Sequence, residues 1–147
     1  MKNLALYAIP IGYMLIYVVL ILASGLWLFL LSQGLDSSEG VLHTIESIMH
    51  RPKPKSLHNF IEVAAPHLFA IGTLIFVVAH FMLFSTNIPQ KVSRLVSMWV
   101  FMLALLNIVS YLAISFGLLV SGWIKLVSLL GFILLFLVLL GMVAFSL

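Results

Sequence analysis

Two histidines carry the most specific chemistry in this chain. His67 and His80 both lie in one apolar run, within Pro66-His67-Leu68-Phe69-Ala70-Ile71-Gly72 and Val77-Val78-Ala79-His80-Phe81. Ionisable side chains inside a membrane-spanning stretch are rare and mark a site or a pathway by default. A neutral imidazole held among apolar helices is suited to ligating haem iron or another metal. The two are 13 residues apart, about 20 Å along a helix axis, which places one toward each membrane face. They also diverge by about 140° around the axis, so they do not grip two groups stacked on one side. Each serves a different partner, or one alone is a ligand.

Partners can be read from the neighbouring segments. Met98 and Met102 form an i,i+4 pair in the next apolar run, at a depth similar to that of His80. His80 with Met98 or Met102 gives a His/Met haem site. The same residues with Met82 give a soft set for copper(I). For His67 the partner comes from the preceding polar loop, as His43, His50 or His58, or from a neighbouring subunit. The plain alternative is that each imidazole hydrogen-bonds to a group on another helix, such as Asn107, Ser110 or Ser115. The methionines are then packing.

The elements that position these residues follow from composition. Of 147 residues, 64% are apolar and 7% charged, against about 25% charged in an ordinary soluble domain. The chain lacks the polar surface of a soluble enzyme, a nucleic-acid binder or a disordered tail. The net charge of +3 reads as contact with lipid headgroups, not nucleic acid. With no cysteine, disulfides, thiolate metal sites, iron–sulfur clusters and covalent c-type haem are excluded.

Four stretches are long enough to cross a bilayer, residues 4–31, 66–84, 95–116 and 123–147. Backbone groups in lipid must be satisfied within the segment, so the spans are helices. The first is too long for the apolar core of a secretory signal and reads as a retained span. The expected fold is all-α, a polytopic integral membrane four-helix bundle in one domain.

The loop over residues 32–65 is the sizeable polar part. Asp36 and Glu39 have a capping pattern, and Val41, Leu42, Ile45, Ile48 and Met49 recur at helical spacing. They predict a short amphipathic helix over 37–50 along the membrane surface. Arg51-Pro52-Lys53-Pro54-Lys55 follows as an extended basic stretch, and Ser56 can cap a further short helix that Pro66 interrupts or restarts. On the amphipathic helix Glu39, His43, Glu46 and His50 are spaced 4, 3 and 4, one stripe of carboxylate and imidazole. Such a stripe can bind zinc or collect protons, or simply be the solvated face.

Histidines near opposite faces of one span, among four spans, resemble the membrane cytochrome b subunits of respiratory enzymes. That resemblance implies haem b, exchange of electrons with a quinone or a partner redox protein, and a place in a larger complex that holds the catalysis. The Met98–Met102 pair is similar to that of three-span copper transporters, although Gly131 and Gly141 are ten apart where those proteins have a glycine pair at i,i+4. The rival expectation is a structural or accessory subunit with no cofactor, packed through its apolar faces against other membrane subunits or its own copies. The expected location is a bacterial inner membrane, with both termini on the cytoplasmic side.

Overall fold

Long apolar runs in a bilayer have one economical conformation, and the chain takes it four times. The structure, a computed structural model, describes residues 7–32, 40–50, 56–85 and 87–146. Its helices are α1 (Ala8–Ser32), α2 (Gly40–His50), α3 (Leu57–Phe81), α4 (Gln90–Ser115) and α5 (Trp123–Phe145), with a 3-10 turn over Met82–Phe84. Among the described residues there is no strand. α1, α3, α4 and α5 are each long and apolar enough to cross a membrane. The protein is a multi-pass integral membrane protein.

Helices begin where their first amide groups can be capped, which need not be where the hydrocarbon begins. The apolar run of the second span opens at Pro66, yet α3 starts at Leu57. Ser56 caps it, its hydroxyl accepting from the Asn59 amide at 3.3 Å. Pro66 neither ends nor restarts the helix. It lacks an N–H, so the Glu62 carbonyl loses its usual donor, but the ring lies on the exposed side, where it meets no neighbouring helix. α4 likewise starts at Gln90 behind Pro89, before the apolar run proper.

α4 ends on Gly117, whose φ of 71° is left-handed. The Gly117 amide donates to Ile114 and the Leu118 amide to Ala113, a Schellman closure that satisfies the last carbonyls. Gly117→Ala is expected to cost about 1–2 kcal/mol, the penalty of a Cβ in that conformation, read as a lower thermal midpoint in detergent.

The turn that follows receives α2. The Gly122 amide donates to the Met49 carbonyl at 3.0 Å, and the Ser121 hydroxyl donates to the same oxygen at 3.3 Å. These bonds satisfy a carbonyl at the end of α2 that its own helix leaves open. Thr44 and Ile48 are buried against the bundle, whereas Val41 and Leu42 stay exposed. The apolar residues of α2 are thus divided between the bundle and the outside. The capping residues Asp36 and Glu39, and the basic stretch 51–55, lie outside the described residues.

α5 is the centre of the bundle. Phe136 and Leu139 are fully buried, and Phe132 stacks on Phe136 at 5.5 Å. Ile75 and Val78 of α3 and Val100 of α4 close around them. At the end of the bundle away from α2, the Ser85 and Ser146 hydroxyls are 2.8 Å apart. α1 is peripheral: 6% of its most apolar stretch is buried, against 33% for α5. It contributes Ile11 and Val18 to the core.

Candidate functional site

α3 carries the two histidines on its surface. His80 is exposed, and its ring is held between Phe76, stacked at 5.9 Å, and Phe84, edge-on at 5.7 Å. The aromatic neighbours come from one turn before and one turn after, so the helix itself orients the imidazole. His67 is exposed as well, about 140° around the helix from His80. The groups proposed as hydrogen-bond partners are engaged differently. Asn107 donates to the Lys125 carbonyl at 3.4 Å, and the Ser110 hydroxyl donates to the Asn107 carbonyl at 2.8 Å. The Ser115 hydroxyl is buried and has no hydrogen-bond partner among the described residues.

The ligand sets read from sequence are spread out. A shallow apolar groove of about 310 Å³ runs between α3 and α4, lined by Leu68, Gly72, Ile75, Phe101 and Met102 among others. His80 points about 130° around α3 from the residues lining that groove. Met98 and Met102 are exposed on α4, while Met82 is buried in the core, on the side of α3 opposite His80. Within one chain, then, His80 and Met102 open onto different surfaces. As a haem pocket the groove fits poorly, since Met102 is the one lining side chain able to ligate iron.

The loop histidines are separated for a covalent reason. His58 is in the first turn of α3. It stands nine residues from His67 on one continuous helix, about 13.5 Å along the axis and on the opposite side. The segment 56–65 does not fold back over the bundle. On α2, His43, Glu46 and His50 share the exposed face, turned away from Thr44 and Ile48. Glu39, the remaining member of that stripe, lies outside the described residues. Among the described residues no three His, Asp or Glu side chains converge as a metal-binding group.

One charged group is placed where sequence reasoning did not look. Lys125 is 8% exposed in the first turn of α5. Its ammonium lies 4.8 Å from the Phe29 ring centroid and 4.2 Å from that of Tyr111. Tyr111 in turn packs on Phe60, centroids 5.5 Å apart. A lysine stem lies readily along apolar surface, and aromatic faces attract the cation at its end. One residue thereby joins α1, α4 and α5. The available signal was the short link between α4 and α5, which puts Tyr111 and Lys125 at similar depth on antiparallel helices.

A family model described as a transmembrane helical domain, Aq_1264_TM, matches residues 43–147. The chain belongs to this family. No curated protein and no solved structure matches it. The Aq_1264_TM match opens at His43 within α2 and runs through α3, α4 and α5. The matched stretch therefore holds the three spans α3, α4 and α5 with most of α2, and α1 stands outside it. That agrees with the packing, in which α1 is the least buried span. The match is to a helical membrane domain and carries no chemistry for the histidines.

Proposed function

We propose that this protein is a non-catalytic structural subunit of a membrane assembly, a helical platform that binds other membrane chains through α3. One observation carries the reading: two polar side chains of this span, Thr73 and His80, are exposed, not enclosed by the bundle. A polar group facing lipid is costly, and interhelical contact is its usual satisfaction in a bilayer. The apolar core is Ile, Val, Leu, Phe and Met, and the buried polar side chains of the described residues are Thr44, Ser93, Ser110, Lys125 and Ser128, none of them on α3.

A second reading keeps His80 as a haem b ligand. Its support is the fixed orientation of the ring between Phe76 and Phe84. The ligand opposite would have to come from another chain. Haem b, when bound, would supply one-electron transfer. Here the residues of this chain do no more than orient one imidazole at a lipid-facing surface.

The full chain, purified in mild detergent from haem-replete cells, decides between them. The expected result is an assembly heavier than the single 16.3 kDa chain, with no Soret or α band in a reduced-minus-oxidised spectrum. A stoichiometric haem spectrum that His80→Ala abolishes would replace the structural reading with the second. A monomer with neither haem nor partner would remove both.

A further inference from the structure

We propose that α2 is a membrane-surface helix, and that its flank carrying Val41, Leu42, Ile45 and Met49 is a docking surface for the lipid leaflet beside the bundle. This surface is separate from α3 and independent of the structural-subunit reading. α2 divides its circumference in three. Thr44 and Ile48, each 2% exposed, point to the bundle. Measured from their common direction, Val41, Ile45, Met49 and Leu42 lie at about 40°, 80°, 120° and 140° to one side. Ser47, His43 and His50 lie at about 80°, 120° and 140° to the other side, with Glu46 opposite. One flank beside the bundle contact is therefore apolar and the other polar. Val41 is 51% and Leu42 84% exposed, while Ile45 and Met49 are half-buried. A helix capping the bundle end in water has no use for that asymmetry, because water would meet both flanks. A helix lying beside the bundle in the interface plane requires it, with one flank toward acyl chains and the other toward water.

The depth of α2 follows from α4. Lys91 and Arg94 lie in its first turns, and no other Lys, Arg, Asp or Glu occurs on it. From Leu95 to Ser115 the helix rises about 30 Å, the thickness of a hydrocarbon core. The turn after it, residues 117–122, thus falls in the headgroup layer, which adds about 5–7 Å on each side. Trp123, 50% exposed at the start of α5, is a residue type concentrated at that boundary. α2 is joined to this turn main chain to main chain, through the Gly122 amide and the Met49 carbonyl, so it lies at the same level. In the turn itself Leu118 and Val120 are 76% and 85% exposed, a surface that favours lipid over water.

Continuity makes the occupant lipid. α2 docks where α4 turns into α5, and exposed side chains of both helices in the span below, Val109, Val127 and Leu130, form hydrocarbon surface that the bilayer already covers. A leaflet that covers these residues reaches the turn and the helix bound to it. The four side chains of the flank carry no charge and no N–H or O–H, so nothing on it selects a protein partner by hydrogen bonding.

The chain has no cysteine, so a nitroxide can be attached at one site at a time on the full protein, reconstituted in phosphatidylcholine vesicles. Val41→Cys, Leu42→Cys and Val120→Cys probe the apolar flank and the turn, and Glu46→Cys and His50→Cys the polar flank. All five side chains are exposed, so the label displaces no packing. Collisions with oxygen, which concentrates in hydrocarbon, are compared with collisions with a charged chromium oxalate complex. Charge excludes that complex from hydrocarbon by far more than the 1.4 kcal/mol that makes a factor of ten, so the oxygen-to-chromium ratio is expected to be at least about tenfold higher at the first three sites than at the other two. Equal ratios on the two flanks would overturn the proposal, low values placing α2 in water above the bundle. Val41 and Leu42 sites shielded from both reagents would mean that protein covers the flank, which would overturn lipid as its occupant.

Discussion

Gly122→Val is expected to release α2 from the bundle while leaving the four spans inserted. The turn between α4 and α5 approaches α2 so closely that a Cβ at this position would overlap the Ile48 carbonyl oxygen. The obstacle is backbone, which cannot rotate away as a side chain can. Relief requires the turn and α2 to separate, and separation stretches the bond from the Gly122 amide to Met49. Overpacking costs about 1–3 kcal/mol and the hydrogen bond about 0.5–1.5 kcal/mol, so the docked state loses about 3 kcal/mol. Each 1.4 kcal/mol is tenfold in an equilibrium, which makes the undocked population rise by roughly a hundredfold. Thr44→Cys reports on it, because Thr44 is 2% exposed in the docked helix. Its thiol should react slowly with a polar maleimide in the parent protein and much faster with Gly122→Val added. Gly141→Ala is the control, since a Cβ there meets nothing within 4 Å, and labelling should not change. Equal labelling with and without Gly122→Val would mean that α2 does not depend on this turn.

The spans were legible because a bilayer imposes a coarse requirement, about twenty apolar residues with internal hydrogen bonds, and the chain meets it four times. Their ends were less legible. Apolarity marks where the membrane starts, and a helix can start earlier wherever a residue such as Ser56 caps it. α2 was readable from its period, but its docking was not. That depends on a glycine contacting a carbonyl 74 residues away in sequence, and nothing in the spacing of Ile48 or Gly122 announces it. The histidines were recognisable as unusual from residue type alone. Their direction was not, because an imidazole facing inward and one facing outward have the same local sequence.

Loss of the Lys125 side chain is expected to loosen α1 from the rest of the bundle. α1 lies outside the family match and offers little buried surface, whereas Lys125 belongs to the matched core and reaches the Phe29 ring. The ammonium between Phe29 and Tyr111 gains about 0.5–2 kcal/mol per ring. The buried stem adds about 0.8 kcal/mol per methylene removed from water. Lys125→Ala removes both and, after the opposing cost of holding the ammonium away from water, should cost about 3–4 kcal/mol. At about 2–4 °C per kcal/mol for a chain of this size, the thermal midpoint in detergent should fall by roughly 6–16 °C. Lys125→Met restores most of the stem without the charge and is expected to recover about half of that loss. Tyr111→Phe keeps the aromatic face and should behave nearly as the parent, while Tyr111→Leu, which keeps apolar bulk and loses the ring, should resemble Lys125→Met. That ordering separates attraction between cation and ring from packing: if Tyr111→Phe and Tyr111→Leu are equally harmful, the phenol hydroxyl and not the ring holds the lysine. A reporter on α1 distinguishes detachment from general loss of stability. Val18→Cys, at a core site 2% exposed, should become reactive to a lipid-soluble maleimide in Lys125→Ala well below the temperature at which the α3–α5 core unfolds.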